Sequence, residues 1–151
     1  MYRRAASHCL ALWQAYAPQV LTVPLSPVRV LIVDDDDDNR MMYAEFLATT
    51  GFDVHQACTA EEALVMAAAL VPHVIMMDVT LPVMNGVDAV RHLRADPRTR
   101  GISVIVLSGH AEPDSAREAR AAGCDAFLTK PCLPDALLAE VTRLLANPPA
   151  R

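Results

Sequence analysis

Residues 28–35 read VRVLIVDD, an almost unbroken β-branched run that ends in two acids. Such a run is what a strand buried on both faces requires. Working outward, residues 36–50 place Met41, Met42, Phe46 and Leu47 near helical spacing and stop at Gly51, a residue that ends helices without steric cost. Phe52–Ala57 predicts a second, shorter strand, and Thr59-Ala-Glu-Glu62 is a capping box opening a helix to about Leu70. The alternation continues with a strand over His73–Asp78 (HVIMMD), a helix over Val87–Ala95 and a strand over Ile102–Ser108 (ISVIVLS). It closes with an Ala- and Arg-rich helix over Asp114–Ala122, a strand over Ala126–Lys130, and a helix over Pro134–Ala146 with proline at its start. Strict β-α alternation calls for an α/β fold: a doubly wound parallel sheet with helices on both faces.

Composition supports one such unit. A chain of 151 residues that is 53% apolar and 21% charged can bury one core but not two. The net charge of −5 argues against a protein whose main work is gripping nucleic acid or anionic lipid. The apolar runs are short and broken by charge, so no membrane insertion is expected. Cys9, Cys58, Cys124 and Cys132 show no CxxC spacing, which disfavours zinc and suits small buried side chains in a reducing, cytoplasmic setting. Residues 1–27, with Arg3, Arg4, Trp13 and three prolines, differ from the rest and predict a poorly ordered N-terminal extension. The folded domain is expected over residues 28–147, followed by a tail over 148–151.

In open parallel sheets, ligands bind beyond the carboxyl ends of the strands. Strand one ends in Asp34 and Asp35, strand three in Asp78, strand four in Ser108 and strand five in Lys130, the single lysine among 13 basic residues. Three carboxylates on one rim repel each other and invite a hard cation such as Mg²⁺. A carboxylate oxygen left free can then act as a nucleophile, with lysine and serine available to a transferring phosphoryl group. Asp36–Asp38 are read apart from this set, as solvated acids that cap the first helix and complement its dipole.

Four motifs, VRVLIVDD, MMDVTLPVMNG, VIVLSG and FLTKP, taken in this order and spacing, resemble the CheY-like receiver domain of bacterial response regulators in two-component signalling. The resemblance covers about Val28 to Ala146 and implies a flavodoxin-like sheet of order 2-1-3-4-5 with five helices. It implies that Asp78 is the phosphoacceptor and that Asp34 and Asp35 bind Mg²⁺, for which Mn²⁺ could substitute, with the Thr80 backbone carbonyl as a further ligand. Ser108 matches the switch hydroxyl, Phe127 the aromatic switch position, and Lys130 the lysine that pairs with phosphoaspartate before a cis Lys-Pro bond. Gly109 leaves room beside the phosphoryl group, and Thr80 and His110 match positions that tune its lifetime.

The implied donor is a sensor histidine kinase or a histidine phosphotransfer protein. The implied output is a downstream protein partner, a phosphorelay step or a homodimer, through the surface of the fourth helix, fifth strand and fifth helix. No direct nucleic-acid contact and no DNA-binding output domain are expected, because no run after Ala146 could build one. Departures from the family pattern are few: Asn85-Gly86 stands at a turn where Asn tolerates the left-handed region, Cys132 replaces a bulky apolar residue, and Phe127 lacks a tyrosine's hydroxyl. A haloacid-dehalogenase-like phosphohydrolase would need an acid two residues past Asp78, where Thr80 stands. A binding module that had lost the chemistry would not keep all five rim residues.

Overall fold

The computed structural model describes residues 26–110 and 112–150. The expected extension, together with Cys9, therefore lies outside the described residues except for Ser26 and Pro27, and so does Arg151 of the tail. The elements run β1 (Arg29–Val33), α1 (Asp37–Thr49), β2 (Asp53–Ala57), α2 (Ala60–Leu70), β3 (Val74–Asp78), α3 (Gly86–Ala95), β4 (Ser103–Ser108), α4 (Pro113–Ala122), β5 (Ala126–Thr129) and α5 (Pro134–Ala146). All strand pairs are parallel, and the sheet order is β2-β1-β3-β4-β5. The expected doubly wound architecture is what the chain adopts. Every element sits within two residues of its expected bounds.

Period-two alternation along the strands builds the two helical layers. Leu31, Val33, Ile75, Met77, Val104 and Val106 face the layer of α2, α3 and α4, packing on Ala63, Ala67, Val90, Leu93 and Ala119. Val30, Ile32, Val74, Met76, Ile105 and Leu107 face α1 and α5, against Tyr43, Leu47, Leu137 and Val141. Each large side chain so buried stabilises the fold by about 1.5–3 kcal/mol, which is why Val30–Val33, Val74–Met77 and Val104–Leu107 run unbroken through the interior of β1, β3 and β4. Small alanines on α2 and α4 let those helices lie close to the sheet.

Local signals set the helix ends. Asp36 caps α1, its side chain accepting from Asn39 N at 2.9 Å, and Asp37 and Asp38 occupy the first turn. Thr59 caps α2 by accepting from Glu62 N at 3.2 Å. Glu62 reaches back to the N–H of Cys58 at 2.9 Å, one residue beyond the usual capping-box partner. Gly123 ends α4 with φ at 105°.

Two expectations need correction. Asn85 is not in the left-handed region: it is the extended N-cap of α3 (φ −73°, ψ 161°) and accepts from Asp88 N at 2.9 Å. The left-handed residue of that loop is Val83, with φ at 66°. Cys58 is exposed rather than buried, because it lies past the end of the edge strand β2, while Cys132 is buried and Cys124 lies between. Among the described residues, no helix is long and apolar enough to cross a membrane.

Candidate functional site

The register of the sheet brings the strand ends together. Val33 pairs with Met77 across β1 and β3, and Asp78 with Leu107 across β3 and β4, so Asp34 and Asp78 emerge side by side at the switch point of the winding. Ser108 pairs with Thr129, and the Lys130 N–H donates to the Ser108 carbonyl at 2.8 Å. The Lys130–Pro131 peptide is cis, as the resemblance implies.

Asp34, Asp35 and Asp78 each offer an oxygen within 4.8 Å of the others. Asp34 and Asp78 are 1% and 4% exposed, whereas Asp35 is open to solvent. The Asp34 carboxylate accepts from Asp36 N at 3.0 Å and from Lys130 Nζ at 2.7 Å. The same ammonium lies 3.3 Å from Asp78 Oδ1. Burial pushes the Asp78 carboxyl above the usual carboxylate range, and Asp34 adds to that push; the Lys130 charge and hydrogen bonds from Lys130 and the Thr80 backbone oppose it without cancelling it. Burial pulls Lys130 down, but the Asp34 hydrogen bond and the two aspartate charges outweigh it, so its ammonium is held above its ordinary value.

With all four groups ionised, one ammonium among three carboxylates leaves a double negative charge. Hard oxygen donors, one of them solvent-facing, and that residual charge fit a divalent cation that keeps part of its water shell. Asp34, Asp35 and Asp78 are the side chains that could hold it. Thr80 is exposed on the loop after β3, and its backbone hydrogen bond goes to the Asp78 carboxylate.

The remaining expected residues lie at the carboxyl end of β4, on the loop after it, and on β5. Ser108 is 1% exposed, and its hydroxyl is engaged with the His110 backbone, donating to O and accepting from N at 3.1 Å each. A side chain at Gly109 would meet nothing within 4 Å, so the space beside it is open. His110 is exposed, and Phe127 is half-buried against the core under α4.

Arg40 and Tyr43 belong to no site motif in the sequence, and Gly86 reads there only as a turn residue. Arg40 donates to the Asp34 carbonyl at 2.8 Å and pairs with Asp37; its only sequence signal is its place one turn into a helix that follows the acids. Tyr43, 3% exposed, donates from its hydroxyl to the Cys132 carbonyl at 3.0 Å, and burial raises its phenol above the ordinary value. Gly86 lies where any β-carbon would run into the Asp78 carbonyl.

This constellation is matched by sequence as well as by shape. The family model of the response regulator receiver domain matches residues 30–142. The chain belongs to the response regulator receiver domain family. The receiver is 33% identical to the chemotaxis protein CheY of Thermotoga maritima over 118 residues, covering 77% of this chain and 96% of that protein. It superposes on the high-resolution structure of the chemotaxis response regulator CheY4 of Vibrio cholerae with a TM-score of 0.75 and 31% identity, covering 79% of this chain and 99% of that one. It is also 36% identical to the regulatory protein AtoC of Escherichia coli over 118 residues, 78% of this chain but 25% of AtoC. The receiver spans about half the length of several other curated relatives it matches. Receiver domains are phosphoacceptor signalling domains of two-component systems rather than classical enzymes.

Proposed function

We propose that this receiver accepts a phosphoryl group on Asp78 in a Mg²⁺-dependent reaction and relays it as a change of surface. The observation that carries the reading is the three-aspartate cluster at the sheet's switch point, bridged by Lys130. Asp78 is the acceptor because it is central, at the end of a strand whose five residues are all buried, and because its carboxylate contacts the lysine without being saturated by it. Its oxygen attacks phosphorus, an acyl phosphate forms, and the bond from phosphorus to the donor's imidazole nitrogen, or to a small donor's oxygen, breaks. The electron pair leaves with the donor, which takes up a proton from solvent.

Asp34, Asp35 and the Thr80 carbonyl hold Mg²⁺, which when bound offsets charge on the transferring group. Lys130 neutralises the product, a site that gains nearly two negative charges. Ser108 leaves its His110 backbone partners to reach the phosphoryl group, and Phe127 follows inward, shifting the α4-β5-α5 surface. Gly109 leaves the space this turn needs, and Thr80 and His110 tune how long the acyl phosphate lasts. The donor is a sensor histidine kinase or histidine phosphotransfer protein in the cytoplasm, and the output is a protein partner or homodimer on α4-β5-α5.

Incubation with a small phosphodonor, with Mg²⁺ or with chelator, followed by intact-mass measurement, tests this. Wild type should gain one phosphoryl group only with the metal, and Asp78→Asn should gain none. A metal-independent adduct, or equal labelling of the variant, would sink the reading.

A further inference from the structure

Lys130 is the one ammonium on the rim, yet the segment that carries it is thinly held. Behind it, the Lys130 N–H is tied to the Ser108 carbonyl at 2.8 Å. Ahead of it, Pro131 has no N–H to donate, and the N-cap of α5, Leu133, makes no side-chain capping bond. Leu133 is itself 73% exposed, so packing adds little there. Among the described residues, no backbone N–H donates to the Cys132 carbonyl. Its hydrogen bond comes from a different element: the Tyr43 hydroxyl on α1, 89 residues away in sequence, at 3.0 Å.

That bond is built rather than incidental. Tyr43 is 3% exposed in the layer shared by α1 and α5, and Cys132 belongs to the same buried cluster. A phenol buried that deeply is costly unless its hydroxyl is bonded. Tyr43 therefore joins α1, whose first turns hold Asp34 through Arg40, to the segment that aims Lys130 at Asp34 and Asp78.

We propose that Tyr43 is a positioning residue for phosphoryl transfer, its hydroxyl bond to the Cys132 carbonyl holding the Lys130–Cys132 segment so that the ammonium stays on the two aspartates. The inference rests on Asp78 being the phosphoacceptor. Transfer gains from a preorganised cation because no reorganisation is then needed as charge develops. Without the bond, Lys130 keeps its charge and loses its aim.

The test is a double-mutant cycle on phosphorylation rate, because only a residue acting through Lys130 loses its effect when Lys130 is absent. Wild type, Tyr43→Phe, Lys130→Ala and the double variant are compared with a small phosphodonor at saturating Mg²⁺, by intact mass over time. Melting curves are recorded for each, and all rates are taken where every variant is folded. Tyr43→Phe keeps the ring and should slow labelling about threefold to tenfold, the range one lost hydrogen bond supports. In the Lys130→Ala background the same substitution should change nothing. Leu144→Ala, which weakens the same core layer at the far end of α5, should melt lower and label at the wild-type rate.

An equal Tyr43→Phe loss in both backgrounds, no loss in either, or a matching loss in Leu144→Ala overturns the inference and leaves the phosphoacceptor reading intact. Failure of wild type to label with Mg²⁺ removes both.

Discussion

Gly86→Ala isolates a contact that the whole site depends on. Gly86 opens α3 directly beneath the acceptor strand, and its N–H donates to the Val79 carbonyl at 2.9 Å. A β-carbon there would fall well inside van der Waals contact distance of the Asp78 carbonyl oxygen, 2.9 Å from its carbonyl carbon and 3.0 Å from Met77 Cγ. Neither neighbour can yield cheaply, since Met77 is fully buried and the Asp78 backbone is part of a central strand. The backbone of Gly86 is not in the left-handed region, so the substitution adds a clash without adding conformational strain.

Overpacking of this kind costs about 1–3 kcal/mol, and a shift large enough to relieve it forfeits the Val79 hydrogen bond, about 1 kcal/mol more. Reduced unfolded-state entropy returns about 0.4–1 kcal/mol. The net loss is about 1–3.6 kcal/mol, and at about 3–6 °C per kcal/mol for a domain of this size Tm falls by about 3–22 °C. Calorimetric or circular-dichroism melts measure it, with two glycines as controls. Gly101 faces open space with an ordinary φ, so Gly101→Ala should be neutral or slightly stabilising. Gly51 faces open space but has φ at 95°, so its alanine variant should lose about 1–2 kcal/mol from backbone strain alone. Melting of Gly86→Ala within about 2 °C of Gly101→Ala would refute the contact argument.

Other outcomes follow from the same geometry. Val83→Asn should stabilise by about 1 kcal/mol in urea titrations, because a fully exposed β-branched residue at φ 66° carries strain with no packing to lose. Arg94 pairs with Asp125 at 3.0 Å, with side chains 14% and 7% exposed, and also holds the Gly123, Arg100 and Ile102 carbonyls. Arg94→Ala should therefore cost about 3–5 kcal/mol by stranding a buried carboxylate, and a loss under about 1 kcal/mol would show that solvent takes over its role. Lys130→Ala removes a cation 2.7 Å from Asp34 and should tighten Mg²⁺ binding about tenfold in calorimetric titration; weaker binding would contradict competition for that carboxylate.

The raised Asp78 carboxyl predicts a pH signature. The folded state keeps a proton that the unfolded state has already released, so this group makes metal-free stability fall as pH rises above about 4. Asp78→Asn lacks that term, and its advantage over wild type should grow with pH and shrink when Mg²⁺ is added. An advantage that shrinks with pH in chelator would reverse the sign and refute it.

The β-branched runs, the glycine and proline punctuation and the strand-end acids were enough to determine the doubly wound fold and the rim where Asp34, Asp35, Asp78, Ser108 and Lys130 meet. They suffice because a parallel strand buried on both faces must be apolar while it crosses the core, so the first polar residue after the apolar run marks the ligand rim. What the linear pattern does not encode is which groups bond across that rim. Asn85 reads as a turn residue and is a cap, since the loop's bend is taken by Val83 instead. Lys130 reads as an acceptor-site cation, yet its shorter contact is to Asp34, at 2.7 Å against 3.3 Å to Asp78. Tyr43 and Gly86 look like an ordinary core aromatic and an ordinary turn glycine. Only the tertiary structure gave one a carbonyl 89 residues away and the other the back of the acceptor strand, because hydrogen-bond partners and excluded volume are decided where the chain meets itself.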